Sequence, residues 1–296
     1  MRWEGRERST NVEDRRGMKG PAMVGGGGIM VVIIGAIIAF MMGKPPQQIM
    51  QDAGRQIQQQ QVQAQAAAGG NDALIARQAE SQEFSEVVLK DTEDVWNRLF
   101  PEVVGKDYQD PVLVFFDGNV STQGCGSASS AVGPFYCPGD MKVYLDRSFF
   151  DELQTKFGAP GDFACAYVIA HEVGHHIQNQ LGISMDVQRR QARMNKVDAN
   201  RESVRTELQA DFLAGVWAHH AQKMKDILDP GDIGEALKAA NQIGDDTLQK
   251  AAAGRVVPDA FTHGSAEQRI RWFSLGLESG DMAQMGMLFE LDYEEL

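Results

Sequence analysis

The feature that most constrains this chain is a pair of histidines four residues apart, His171 and His175, with Glu172 beside the first. On an α-helix, positions i and i+4 lie on one face, one turn apart. Both imidazoles can therefore reach one tetrahedral metal ion at about 2.0–2.1 Å. Glu172 projects near the same face, where a carboxylate can hold a metal-bound water and take its proton. The H-E-x-x-H pattern thus predicts a helix that gathers three polar groups at one point, a pattern typical of zinc-dependent hydrolases.

The residues around this motif favour a buried helix. The preceding stretch, 163–170, is apolar, Asp162 is a candidate N-cap, and Gly182 suits the position just after a helix C-terminus. The alternatives are a structural zinc site or an accidental pair of surface histidines. A structural site commonly has four Cys or His ligands and has no use for Glu172.

A catalytic zinc site needs a third protein ligand and an open fourth position. A second helix is predicted over 202–224, and in it Glu207 and Asp211 are again four residues apart. We assign Glu207 as the third ligand and expect Asp211 to accept a hydrogen bond from a zinc histidine. The alternative for both is a solvated acidic helix face, but the neighbouring Phe212 and Trp217 indicate burial.

The remaining histidines differ in their relation to this site. His176 points about 100° away from His175 around the helix, so we expect it to pack or support. His219 and His220 lie about 18 Å beyond Glu207 along the second helix and should not reach the same metal. His263 precedes a predicted helix and is a candidate for stabilising an oxyanion, with helix capping as the alternative. Arg269, in that helix, is a candidate for a substrate contact or an ion pair.

The N-terminal part predicts a membrane anchor. Residues 24–43 contain no charged side chain and are long enough to cross a bilayer. Six Lys or Arg residues precede this stretch, so the positive-inside rule puts residues 1–23 in the cytoplasm and the remainder outside. Residues 44–72 form a Gln/Ala-rich linker, and residues 73–296 form the catalytic domain. The alternatives to a retained signal-anchor are a cleaved signal peptide and a buried helix.

Charge is distributed unevenly along the chain. The first 44 residues carry seven basic and four acidic side chains, whereas the rest carries 21 and 37, a net charge of −16. Such an acidic domain lacks the basic face that nucleic-acid binding needs, so we predict no nucleic-acid partner. Nothing in the composition fixes the oligomeric state.

Three cysteines are present, at positions 125, 137 and 165. In an oxidising exterior, Cys125 and Cys137 are the expected disulfide, closing a loop rich in Gly, Ser and Ala. Cys165 is expected to be a packed free thiol. Zinc ligation by Cys165, or its pairing with either other cysteine, stays open at this stage.

Periodicity predicts an α+β fold dominated by helices, with a small sheet. An amphipathic helix is expected over 79–100, a strand at 111–116 and a hairpin from Phe135 to Leu145. An edge of that hairpin is a candidate to hold an extended substrate by β-augmentation. Further helices are expected in 148–157 and in the C-terminal part, at about 231–243, 245–253, 265–276 and 281–289.

Several segments together resemble the neutral zinc metallopeptidase family of bacterial membranes, the YpfJ type. They are the opening Met1–Arg6, the hydrophobic segment, the cysteine-containing stretch with Gly133–Pro138, Val143–Asp146, Ala166–His176 and Thr262–Gly264. The resemblance implies a zincin fold of gluzincin-like arrangement, one Zn²⁺ with Glu207 as third ligand, and a peptide or protein substrate. It also implies a single-pass protein of the bacterial inner membrane, with a periplasmic or otherwise extracytoplasmic catalytic domain and the bilayer as partner of its N-terminal helix.

Together these patterns favour hydrolysis of peptide bonds by a zinc-activated water, with Glu172 as general base. One alternative is a non-catalytic, membrane-tethered module with structural zinc. Another is hydrolysis of a non-peptide amide of the cell wall.

Overall fold

The computed structural model describes residues 1–16, 79–130, 133–146, 148–155, 158 and 161–296. Within them helices dominate and the sheets are small, which confirms the predicted α+β class. The predicted membrane segment at 24–43 and the linker at 44–72 lie outside the described residues. In the described part of the chain, no helix is long and apolar enough to cross a bilayer.

Among the described residues, six short strands form two sheets: β1 (Val12–Asp14), β2 (Val112–Phe116), β3 (Asn119–Ser121), β4 (Ser127–Ser129), β5 (Phe135–Cys137) and β6 (Lys142–Asp146). The main sheet has the order β1-β2-β6-β5. Its β1–β2 and β2–β6 pairs are parallel, and β5–β6 is antiparallel. β3 and β4 form a separate antiparallel pair. The predicted hairpin is thus present as β5–β6, and β5 lies at one edge of the sheet.

Nine α-helices lie in the described part of the chain. They are α1 (79–104), α2 (Ser148–Thr155), α3 (Asp162–Gln180), α4 (Ile183–Gln191), α5 (Lys196–Lys225), α6 (Asp232–Gln242), α7 (Asp245–Ala253), α8 (Ala266–Ser279) and α9 (Met287–Glu290). Helix α5 begins at the Asn195 cap, whose side chain accepts from the Asp198 amide. It therefore starts earlier than the predicted residue 202. Its first turns are polar, so the apolar pattern does not reveal them, and the Asn195 cap determines where the helix begins.

The core is built around α5, which packs against α3 on one side and α8 on the other. The contact with α8 is between backbones. A Cβ atom at Gly215 would stand 2.1 Å from the Phe273 carbonyl oxygen, and one at Gly276 would stand 2.0 Å from that of Phe212. Only glycine permits this approach. The close crossing brings the start of α8 against the middle of α5, where the candidate site lies.

Residues 1–16 and 81–296 form one compact unit. Strand β1 is part of the main sheet, and Trp3 is buried in the main hydrophobic core. The sequence alone had set residues 1–23 apart as a separate N-terminal region, because their charge pattern resembles that of a membrane-flanking segment. The structure gives their first sixteen residues a place in the folded domain.

Candidate metal and catalytic site

Helix α3 carries the H-E-x-x-H motif across the core. It begins after Gly161, which has φ 127° and makes no side-chain cap, so the expected Asp162 cap is wrong. Its end is as predicted, because Gly182 takes the left-handed conformation at φ 77°. Gly174, within the motif, lets α3 approach α5, since a Cβ there would stand 3.0 Å from the Cα of Ala210. The motif glycine thus sets how near the two helices come.

His171, His175 and Glu207 meet between α3 and α5. The Nε2 atom of His171 lies 3.2 Å from one carboxylate oxygen of Glu207, and the Nε2 atom of His175 lies 3.5 Å from the other. All three candidate ligand atoms lie within 4.8 Å of one another. Two ligand atoms bound to one tetrahedral zinc stand about 3.3 Å apart. The donor set and its spacing therefore fit a zinc ion.

Hydrogen bonds on the far side of each imidazole fix its orientation. The Nδ1 atom of His171 lies 2.8 Å from Oδ1 of Asp211, and Nδ1 of His175 lies 2.8 Å from Oε1 of Gln178. Because both partners are acceptors, each Nδ1 carries a proton and each Nε2 is left to face Glu207. The two Nε2 atoms are therefore the ring nitrogens that a metal ion would take.

Asp211 is the centre of a buried polar network. Its carboxylate accepts from the Tyr167 hydroxyl at 2.5 Å and from the Arg269 guanidinium at 2.8 Å and 3.0 Å, as well as from His171. Burial raises the pKa of Asp211, but Arg269 and His171 outweigh it and lower the pKa to about 2. The carboxylate is therefore ionised, which makes it a strong acceptor for the His171 ring.

The charges at the cluster favour a cation between the ligands. Burial acts against protonation of His171, but Asp211 and Glu207 overcome it and raise the pKa to about 10. Burial likewise acts against ionisation of Glu207, yet the two imidazoles hold its pKa well below the ordinary value. The two carboxylates thus favour positive charge at this cluster. Protonated imidazoles carry it here, and a divalent cation that displaced the Nε2 protons would carry it instead.

Glu172 lies beside this cluster and is 8 % exposed. Burial raises the pKa of its carboxyl, although His175 and His171 act in the opposite direction. The backbone amide of Tyr136, on the edge strand β5, lies near enough to this carboxylate to lower its pKa. Strand β5 therefore lies beside Glu172.

A cavity of about 620 Å³ opens onto these residues. His171, Glu172, His175 and Glu207 all lie in its wall, together with His263 and Arg269. Phe149, Val168, Ile243 and Leu248 supply an apolar part of the wall. The cluster is therefore accessible from one side, and the space beside it can accept a side chain of a substrate.

His263 lies in the loop before α8 and is half-exposed toward the cavity. Its Nδ1 atom stands 3.3 Å from Oδ1 of Asp245, and this contact raises the pKa of His263 despite partial burial. The other oxygen of Asp245 accepts from the backbone amides of Thr262, His263 and Gly264 at 2.6–3.2 Å. Asp245 thus fixes both the loop and the ring.

The other histidines have structural partners. His176 is fully buried, and its ring nitrogens contact the Tyr136 hydroxyl at 3.0 Å and the Gln109 carbonyl oxygen at 2.6 Å. His219 and His220 bind carbonyl oxygens at the end of α8, those of Leu277 and Gly280. None of the three belongs to the cluster, in line with their positions along the helices.

The predicted disulfide between Cys125 and Cys137 is present, with a Cα–Cα distance of 5.9 Å. It ties the loop between β3 and β4 to the edge strand β5. Cys165 is a free thiol at intermediate exposure. Burial raises the pKa of this thiol, so it is an unreactive packing residue.

Two supporting residues, Gln178 and Asp245, escape sequence reasoning, and a third, Arg269, takes one of its two predicted roles. Gln178 follows His175 by three positions on one helix face, a spacing that could have indicated its role. Arg269 was left between two roles, and the structure gives it the ion pair with Asp211. Asp245 lies eighteen residues before His263 and gives no local signal.

Comparisons with known proteins identify the family of this chain. The family described as "Putative neutral zinc metallopeptidase" matches residues 1–288. A protein of Escherichia coli (strain K12) named "Uncharacterized protein YpfJ" is 46% identical over 285 residues, 96% of this chain and 97% of that protein. An uncharacterized protein of Mycobacterium bovis is 46% identical over 197 residues, 63% of this chain and 64% of that protein. No solved structure matches the chain. This chain therefore belongs to the neutral zinc metallopeptidase family.

Proposed function

We propose that this chain is a zinc-dependent peptidase in which His171, His175 and Glu207 hold one Zn²⁺. The observation that carries the proposal is the convergence of two Nε2 atoms on the partly buried carboxylate of Glu207 at 3.2 Å and 3.5 Å, beside an open cavity. A closed structural site would use four protein ligands. Among the residues that the structure describes, this group has three members, which favours catalysis over a structural role.

When bound there, zinc lowers the pKa of a coordinated water toward neutrality and polarises the carbonyl group of a substrate. Glu172 accepts the proton of the attacking water and delivers it to the nitrogen of the leaving amine. Its burial suits this task, because a carboxylate with a raised pKa takes up a proton near neutral pH more readily than an ordinary glutamate does.

His263 donates a hydrogen bond to the carbonyl oxygen as negative charge develops there. Its place in the cavity wall and its contact with Asp245 support this role. The Asp245 carboxylate favours a protonated ring, which is the form that donates from both nitrogens. A preorganised donor of this kind stabilises the transition state more than the ground state.

Strand β5 holds the substrate main chain. It lies at the edge of the sheet, and the cavity is lined by Phe135 and Tyr136 of this strand. An extended peptide can add to such an edge by main-chain hydrogen bonds. The contact of the Tyr136 amide with Glu172 places that peptide next to the general base.

The test compares the Glu172→Gln variant with the unmodified chain, both loaded with zinc and assayed on a mixture of quenched fluorescent peptides. We expect one zinc per chain in both, and a turnover at least about 10²-fold lower in the variant. Undiminished turnover would contradict the role of Glu172. A Glu207→Ala variant should lose zinc as well as activity, which separates the ligand from the base.

Hydrolysis of a cell-wall amide differs from the proposed peptidase activity only in its substrate, so a comparison of substrates separates the two. Purified cell-wall fragments are assayed beside the peptides under the same conditions. Cleavage of the fragments without cleavage of any peptide would replace the peptidase assignment and keep the zinc site.

A further inference from the structure

The first sixteen residues are held in the folded domain by their side chains. Trp3 is 8 % exposed, packs edge-on against Phe84 and donates from Nε1 to Oδ2 of Asp162 at 2.8 Å. Asp162 is the first residue of α3, the helix that carries the H-E-x-x-H motif. Ser9 is buried and its hydroxyl bonds the Glu93 carboxylate at 2.5 Å. The segment therefore contacts both α1 and the start of the motif helix.

Main-chain bonds hold the same segment. β1 pairs in parallel with β2, with Val12, Glu13 and Asp14 opposite residues 113–115. The amide of Leu113 donates to the Asn11 carbonyl oxygen at 2.9 Å, and the Arg15 amide donates to that of Phe115 at 2.9 Å. Without this segment, β2 would become the edge strand of the sheet, although its residues are apolar and mostly buried. The segment is thus a structural part of the sheet.

The arginines of this segment also have partners within the fold. Arg6 pairs with Asp91 at 2.5 Å, Arg2 with Asp229 at 3.1 Å and Arg8 with Glu86 at 3.8 Å. Arg15 and Arg16 pair with acids of β1 and lie over the Tyr144 and Phe115 rings. These are five of the six positive charges that the positive-inside rule counts as a cytoplasmic signal. In the structure they balance acids of the same folded unit.

From this packing we propose that residues 1–16 and residues 81–296 lie on the same side of the bilayer. A strand of a sheet cannot be separated from its neighbour by a hydrocarbon layer about 30 Å thick. A single crossing of the bilayer between these two parts, which the charge pattern of the sequence alone predicts, is then excluded. The disulfide between Cys125 and Cys137 favours the oxidising side for both parts. The inference is independent of the proposed function.

The test labels single introduced cysteines in the full chain, expressed in a bacterial host. Thr10→Cys is exposed in the N-terminal segment and Ala252→Cys is exposed on α7. Spheroplasts are treated with a membrane-impermeant maleimide before and after lysis, with the unmodified chain as the background for Cys165. We expect both variants to be labelled before lysis. If both positions were labelled only after lysis, the two parts would still lie on one side of the membrane, but that side would be the cytoplasm.

Labelling of the two positions on opposite sides would overturn the proposal. A second measurement is independent of the membrane: the melting temperature of the purified full chain with Trp3→Ala, against the exposed neighbour Glu4→Ala. We expect Trp3→Ala to lower the melting temperature by about 5 °C or more, because a buried aromatic side chain is lost. Glu4→Ala should leave it within about 1 °C. Equal melting temperatures for the two variants would also overturn the proposal.

Discussion

Replacing Asp211 by asparagine tests whether the network behind His171 controls the metal site. The change keeps the shape and removes the charge. Oδ1 of Asp211 now accepts from Tyr167, His171 and Arg269, while Oδ2 accepts from Arg269 Nε. An asparagine has one oxygen and one NH₂ group, so at least one of these donors would face another donor. The buried Arg269 charge would also lose its counter-ion.

The magnitude follows from these two losses. Breaking one side of a buried ion pair costs about 3–5 kcal/mol. For a domain of this size, that corresponds to a fall of about 6–20 °C in melting temperature. Loss of the acceptor behind a zinc histidine weakens metal binding by about 10–100-fold. We therefore expect both a lower melting temperature of the metal-free protein and a weaker zinc affinity.

Two assays separate the effects. Differential scanning calorimetry of the metal-free protein gives the stability, and competition with a chromophoric chelator, well below the melting temperature, gives the zinc affinity. Asp186→Asn is a matched control, because Asp186 pairs with Arg189 on the exposed surface, where such pairs contribute about 0–1 kcal/mol. Tyr167→Phe removes one donor to Asp211 and should give a smaller fall. An Asp211→Asn protein with the zinc affinity and melting temperature of the control would refute the reasoning.

Three further predictions follow from the site and its surroundings. His263→Ala should lower kcat by about 10²–10³-fold with zinc retained, since one oxyanion donor is lost; a change confined to KM would contradict this role. Burial lowers the pKa of His176 to about 4. Between pH 6.5 and 4, His176 is therefore protonated in the unfolded chain but neutral in the folded chain. The free energy of unfolding should therefore fall by about 3 kcal/mol between pH 6.5 and 4. In urea unfolding, the His176→Gln variant should lack this fall. If the variant and the unmodified chain had the same pH dependence, His176 would not be its source. Replacing both Cys125 and Cys137 by serine should cost about 3 kcal/mol in the free energy of unfolding, and equal urea midpoints would contradict that.

The position of the motif could be predicted from local patterns. The spacing of His171, Glu172 and His175 has meaning only on a helix, and apolar residues before it indicated that the helix is buried. Glu207 followed from the same i, i+4 rule applied to a second helix. These features are local, so one sequence suffices to find them. The β5–β6 hairpin and the disulfide were likewise visible as short-range signals.

What escaped prediction depends on contacts between distant parts of the chain. Residues 1–16 look like a membrane flank because their arginines are counted without the acids that they meet about 75 to 225 residues later. The partner of Asp162 is Trp3, far away in sequence, so a carboxylate that resembles a helix cap serves another purpose. Asp245 and Arg269 gain their roles only when α5, α7 and α8 come together. Contacts between distant helices leave no periodic pattern within a single segment of the sequence.

X-ray absorption at the zinc edge of the purified, zinc-loaded protein, together with its zinc content, tests the three-ligand site most directly. We expect one zinc per chain, with two imidazole nitrogens, oxygen from a carboxylate and an exchangeable oxygen at about 2.0–2.2 Å. The imidazole signal should be reduced in a His175→Ala variant. A sulfur ligand, a third or fourth imidazole, or a His175→Ala protein with an unchanged zinc spectrum would contradict it.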